Sequence, residues 1–429
     1  MIKNSAVLII LFGLLTYSAL VVIGNILSAQ TAEPPVPSAL GGLSGTGDIR
    51  LRNINNQIFT GSDFRIDENG QCVLQVADGE KILNCRELLD IEFTSNLPSL
   101  PAGAYEITLN NRDIIYGIIK ESRPDAIAIQ SNILGDALIK FEHLLIINLK
   151  NQLSKDRSLL SGTPTEDEVY FLNGDRDAGI ITAVQPNNLT IKSSLYGKER
   201  TYQFANIWWV AFAQLSEPSH QGDGALTARL ICQDGSRLTV QIQKAEQRLL
   251  YFKFNGQDYR VPFDKISYFY FKNERCVYLS DLEPVDVKEY PSFLTVSDKS
   301  IPFLWPYQKD KSVYHKRTSS LKNKKYYKGL GVHANSELTY ALNGRYRKFF
   351  VTVGLDDESG PGGSVNFIIY LDGKKLYPPK ADGIIKWGDE PKEVVLDVTD
   401  VKEIKLVVND GEDYYVLDRA VWAGARLIK

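Results

Sequence analysis

The residues best equipped for chemistry lie in the last third of the chain, and they suit recognition more than reaction. Trp387 sits in Lys386-Trp-Gly-Asp-Glu390, flanked by charge and glycine as an exposed ring would be. Tyr414 and Tyr415 follow Gly411-Glu-Asp, His333 and Asn335 stand two apart beside Gly331, and Asp418 precedes Arg419. Rigid rings with planar polar groups match a ligand that has one apolar C–H face and a rim of hydroxyls, as a pyranose does. The ring supplies apolar area, while Asp, Asn, His and Arg at loop ends fix hydroxyl orientation. Each residue has a plainer reading too. His333, between Val332 and Ala334, reads equally as a hydrogen-bonded structural histidine, and Trp422, in a tail of alternating apolar residues, reads as core. Asp356-Asp357-Glu358, ahead of Ser-Gly-Pro-Gly-Gly363, offers the hard oxygen ligands that calcium takes, or is a solvated acidic turn.

Reactive motifs are missing from the sequence. It has no Gly-x-Ser-x-Gly elbow, no His-Glu-x-x-His, no Cys-x-x-Cys and no complete phosphate loop, and it has only four histidines. Gly329-Leu-Gly331 lacks the third glycine and the strand-to-helix setting of a dinucleotide site. A net charge of −3 gives no broad basic field, so nucleic acid is not an expected partner. Lys322-Asn-Lys-Lys-Tyr-Tyr-Lys328 is a local cationic run, read as a solvated face or as an attraction to acidic polysaccharide.

The elements that must carry these residues are strands. Phe349-Phe-Val-Thr-Val353, Ser364-Val-Asn-Phe-Ile-Ile-Tyr-Leu371, Glu393-Val-Val-Leu-Asp-Val398 and Glu403-Ile-Lys-Leu-Val-Val408 are predicted strands, punctuated by turns at Asn343-Gly344, Asp372-Gly373 and Asn409-Asp410-Gly411. Short strands with long polar loops and isolated tryptophans predict a β-sandwich over residues 277–429.

Six segments of this region, in order, resemble the NPCBM carbohydrate-binding module of the glycoside hydrolase family 98 type. They are Tyr278-Leu-Ser-Asp-Leu282, Tyr327-Lys-Gly-Leu-Gly-Val-His-Ala-Asn-Ser336, Gly354-Leu-Asp-Asp357, Val365-Asn-Phe-Ile-Ile-Tyr-Leu-Asp-Gly-Lys374, Leu396-Asp-Val-Thr399 and Asp418-Arg-Ala-Val-Trp-Ala-Gly-Ala-Arg-Leu427. The resemblance implies a galactose-binding-like jelly roll, an accessory module of glycoside hydrolases that include enzymes of galactosides and blood-group glycans, often stabilised by calcium. Arg419 is a departure, since the family tail commonly has an acidic residue or histidine after the Asp.

Upstream, one pattern recurs four times with a period of roughly 55 to 60 residues: an alternating apolar strand, a polar turn, a second strand, a third, and a short apolar finish. The copies span 48–100, 101–150, 163–215 and 224–275, with Gly117 and Gly179 at equivalent places in the second strand and copy one the most divergent. Short strands with a glycine that permits a sharp bend describe a small barrel, and the pattern is similar to Sm-like and SH3-like barrels. Barrel edges can pair with one another or with a partner strand, so a rod or a self-associating assembly surface is expected. Trp208 and Trp209 are adjacent and point to opposite faces of a strand, one expected in the core and the other at a contact.

Cys72 and Cys85 flank Asp78-Gly79 symmetrically, which predicts a hairpin with a cross-strand disulfide; Cys232 and Cys276 are a second candidate pair. Residues 6–23 form an uncharged apolar run after Lys3, so residues 1–32 read as a signal peptide or as a membrane anchor, and 33–47 as a flexible linker. The chain is therefore expected to be all-β, secreted, periplasmic or in the cell envelope, with one N-terminal apolar helix. Its expected role is non-catalytic glycan binding, with calcium as the expected cofactor; the alternative is an envelope structural protein whose sandwich binds no sugar.

Overall fold

In a computed structural model, residues 49–93, 103–149, 164–214, 225–290, 305–314, 317–379, 383–411 and 417–429 are described. The N-terminal segment, the linker, Tyr414 and Tyr415 lie outside them. The described chain is all-β, its few helical residues being short 3-10 turns, and no helix among the described residues is long and apolar enough to cross a membrane.

All four repeats fold as five-strand meanders in which the last strand pairs back onto the first. In the third repeat, Ile207–Ala211 lies against Asp167–Phe171, followed by Arg176–Val184, Asn188–Ser193 and Glu199–Gln203. A 3-10 turn precedes each last strand, at Cys85–Glu87, Phe141–His143, Phe204–Asn206 and Phe263–Lys265. The alternation of apolar and polar side chains sets the burial directly: Arg237–Glu246 alternates half-buried and buried along most of its length.

A slip of register bends the second strand, between Ile119 and Glu121, Ile181 and Ala183, and Ile242 and Lys244. In the divergent first repeat that strand is split into Ile58–Gly61 and Asp63–Ile66. The glycine at the bend has a steric cause. A Cβ on Gly179 would lie 2.1 Å from the Lys192 carbonyl oxygen, and one on Gly61, which holds the equivalent place in copy one, 2.4 Å from that of Gln75.

The repeats do not form a simple row. Leu88–Phe93 of repeat one pairs with Ile266–Phe271 of repeat four, and Leu144–Asn148 of repeat two with Ile207–Ala211 of repeat three. The last-strand edges expected to be exposed are thus satisfied within the chain, as two nested pairs. Repeats two and four also meet through equivalent turns in a reciprocal contact. The Tyr116 N–H donates to Ser236 Oγ (3.0 Å), and the Thr239 N–H donates to Asp113 Oδ2 (2.8 Å). Asp113 is buried there, and its carboxyl is raised by that burial. One apolar core runs through all four repeats, with Phe64, Phe93, Phe263 and Phe269 clustered at the pairing of one and four. Trp208 and Trp209 depart from expectation, since both are half-buried and Trp209 stacks on Tyr170 at 3.8 Å.

The cysteine pairings are corrected. Val76 pairs with Gly79, so the two-residue turn is Ala77-Asp78; Cys72 then faces Leu83, and Cys85 falls off the ladder into a 3-10 turn. Cys72 and Cys85 are buried thiols, and the Cys85 thiol is pushed up chiefly by its hydrogen bond to Cys72. Cys232 and Cys276 are buried thiols too, in separate apolar clusters.

The C-terminal unit is a sandwich of two antiparallel sheets. One runs Gln308–Lys309, Gly329–His333, Arg419–Ile428, Lys348–Leu355, Lys392–Asp397, and the other Asp286–Glu289, Ser336–Ala341, Glu403–Asp410, Ser364–Leu371, Lys374–Tyr377. Trp422 is fully buried between them, edge-on to Phe367 at 4.8 Å, as its apolar alternation predicts. The sandwich docks on repeats one and four through Ile54, Leu89, Tyr268, Tyr270, Tyr278, Phe350 and Ile428. Arg426 crosses that junction to donate to Asn56 Oδ1 at 2.8 Å.

Candidate functional site

One end of the sandwich gathers most of the described candidates. The edge strand Gly329–His333 pairs with Arg419–Ile428 so that His333 lies opposite Arg419. Beyond it, Asn335 takes the left-handed conformation (φ 63°) and its N–H donates to the Val408 carbonyl, which turns the chain from one sheet into the other. Asp418 is completely buried: its Oδ1 accepts the Ser364 N–H at 2.9 Å, and its carbonyl accepts the Ala334 N–H at 3.0 Å. It is a fastening between loops, with no exposed surface to offer a sugar.

The rim is built on Trp305, which the sequence reading passed over. Its ring stacks on His333, centroids 4.7 Å apart and nearly parallel at 16°. His333 is buried, and its pKa is lowered to about 4, first by that burial and then by the Arg419 charge. At neutral pH the imidazole is therefore uncharged, with one nitrogen able to donate and the other to accept. Arg419 lies with its guanidinium 3.7 Å over the Tyr314 ring and donates to the Glu358 carbonyl. Burial lowers its pKa, but it stays cationic. Glu358 Oε2 accepts from Ser312 Oγ at 3.0 Å, closing the cluster. With the buried His333 imidazole as its floor, the Trp305 ring and the immobilised Arg419 guanidinium beside it can stack on a sugar face and donate to adjacent hydroxyls.

Trp387 reaches the same end by another loop. Its backbone N–H donates to the Gly363 carbonyl, Gly363 abuts Leu417, and the Gly411 N–H donates to the Ser364 carbonyl. The Trp387 side chain is 42% exposed.

The acidic trio holds its own turn beside this cluster. Asp356 Oδ1 caps its own turn by accepting the Glu358 N–H (3.0 Å), and Asp357 accepts the N–H groups of Lys322 and Asn323 (2.8 and 2.9 Å). No group of three or more His, Cys, Asp or Glu among the described residues is arranged to hold a metal. Asp356 is buried, which pushes its carboxyl up to about 7.

The domain is a two-sheet sandwich with a polar and aromatic rim at one end. Residues 276–428 match the model of the NPCBM/NEW2 domain, and the C-terminal domain of this chain belongs to that family. Among solved structures, the chain is similar to the CBM51 of Clostridium perfringens GH95 in complex with methyl-galactose (31% identity, 35% of this chain and 99% of that one, TM-score 0.30). It is also similar to the CBM51-2 and INT domains of Clostridium perfringens ZmpB in complex with GlcNAc (22% identity, 45% of this chain and 37% of that one, TM-score 0.31). A third likeness is to the tandem CBM51 modules of the family 98 glycoside hydrolase of Streptococcus pneumoniae SP3-BS71 (15% identity, 89% and 88%, TM-score 0.30). No curated protein matches the chain.

Proposed function

We propose that this protein is a non-catalytic glycan-binding protein of the cell exterior or envelope, holding a sugar at the Trp305–His333–Arg419 rim. The observation that carries this reading is the stacked Trp305–His333 pair set beside an arginine pinned over Tyr314. Such a site recognises without reacting: His333 is too weak a base at neutral pH to hold a proton, and the guanidinium neither gives nor takes one. The family resemblance supports a galactose-containing ligand. Export rests on the apolar run of residues 6–23, as a cleaved signal or an anchor, and the mass of the mature N-terminus distinguishes the two.

Calorimetric titration of the full chain with methyl galactoside, followed by a glycan array, tests the binding. Saturable binding that falls about 10- to 100-fold in Trp305→Ala is expected, the weight of a lost stacking ring and its hydrogen-bonding neighbour. Binding to no sugar, or sugar binding indifferent to both Trp305→Ala and Arg419→Ala, would overturn the proposal.

A further inference from the structure

The cationic run at 322–328 is unused by the rim, and the fold gives it a setting. Ser319–Leu321 and Lys324–Tyr326 form a two-strand hairpin, and Lys324, Lys325, Tyr326 and Tyr327 line a crevice together with Arg50 of repeat one. The crevice lies where the sandwich meets repeats one and four, with a free volume of about 60 Å³. Its wall is a fixed aromatic cluster: Tyr327 packs on Tyr268 (5.4 Å) and Tyr270 (6.5 Å), and Tyr268 packs on Tyr270 (4.6 Å).

The charges do not cancel. Arg52 is tied to Asp90 and to the Tyr268 hydroxyl, and Lys328 to Asp281 and Asp310. Arg50 meets Glu92 only at 3.8 Å, with both side chains about half exposed, a geometry that contributes little. Lys324 and Lys325 have no ion-pair partner among the described residues. Three weakly paired cations thus rim a tyrosine-walled seam, Lys324 with its ammonium 5.3 Å from the Tyr326 ring centre.

We infer that this seam is a second saccharide site, separate from the sandwich rim, which takes the carboxylate or sulfate of an acidic sugar. A free volume of about 60 Å³ is room for several waters and so for an anionic group. The ring would rest outside, against Tyr326 and the exposed Ile58, while Lys324, Lys325 and Arg50 neutralise the charge. The cations come from two units of the chain, so the site exists only with the sandwich docked.

Binding of the full chain to trigalacturonic acid and to a heparin-derived hexasaccharide tests this, against neutral galactotriose and a DNA oligomer of matched charge. Binding of either anionic sugar is expected, weakening steeply with added salt. It should drop about tenfold in Lys324→Ala/Lys325→Ala and a few-fold in Arg50→Ala, the weight of charge-assisted contacts at an accessible site. Trp305→Ala should leave it unchanged, which separates this site's failure from that of the rim. Failure to bind both anionic sugars, binding unmoved by the lysine double variant at an unchanged melting temperature, or equal binding of the DNA oligomer would each overturn the inference.

Discussion

Two arginines on one strand, seven residues apart, mark the two ends of the sandwich. At the finish of Arg419–Ile428, Arg426 is buried over Phe350, donates to the Gly424 carbonyl within its own strand and spans to Asn56 of repeat one. At its start, Arg419 is only partly covered, stacked on Tyr314 beside the Trp305–His333 pair. Both guanidiniums are desolvated enough to lower their pKa, and both have an aromatic floor. The difference is what lies across from them. An arginine enclosed by a second unit acts as a fastening, while one at an unclosed rim keeps donors for a guest.

The strongest check on that contrast is the residue between the two ends. Trp422→Ala should cost about 3–5 kcal/mol, because it empties the sandwich core, and chemical denaturation would measure it. Arg426→Ala should cost about 1–2 kcal/mol by emptying a buried site and unpairing part-buried partners at the junction, and calorimetry should then resolve separate repeat and sandwich transitions. If the variant still melts in one step at the wild-type temperature, Arg426 is not the fastening described. Arg419→Ala, by contrast, should change stability by less than about 1 kcal/mol while weakening sugar binding, and Arg419→Lys should not restore it, because an ammonium lacks the planar fork that lies over Tyr314.

A smaller effect is set by pH. Asp356 is pushed from an ordinary 3.8 up to about 7 by burial, so the fold favours its protonated form. Its contribution is complete below about 4 and is lost as pH rises through about 7. His333 runs the other way: lowered from 6.5 to about 4, its contribution is complete above 6.5 and is lost as pH falls through about 4. Asp356→Asn should therefore remove the loss of melting temperature as pH rises from about 4 to about 7, leaving the opposite trend of His333 over nearly the same window; an unchanged profile would refute the assignment. Smallest of all, a thiol reagent should label no cysteine in the native protein and four in denaturant.

Much of the architecture was legible because it is local. Alternation gave the strands, the ordered motifs gave the sandwich, and Trp422 announced its burial through its apolar neighbours. The partner of each last strand was not legible, since nothing in the spacing of Ile266–Phe271 distinguishes Leu88–Phe93 from any other apolar edge. The cysteine error came from one residue of turn placement, which shifts every cross-strand partner. Trp305 escaped notice because Trp305-Pro306-Tyr307 sits in no periodic segment; its role comes from the distant strand that brings His333 beneath it. Arg419 was seen only as a departure from a family pattern, and the stacking on Tyr314 gives that departure a physical purpose.

The nested pairing of the repeats has a consequence for how the chain is made. Repeat one cannot cover its last strand until repeat four has been synthesised, and the Arg52–Tyr268 hydrogen bond alone closes a separation of 216 residues. Repeats two and three, close in sequence, can join first and form the inner pair. Folding should then proceed from the middle outward, with the first repeat waiting on the ribosome as an unpaired edge, so that a truncation removing repeat four exposes repeat one to aggregation.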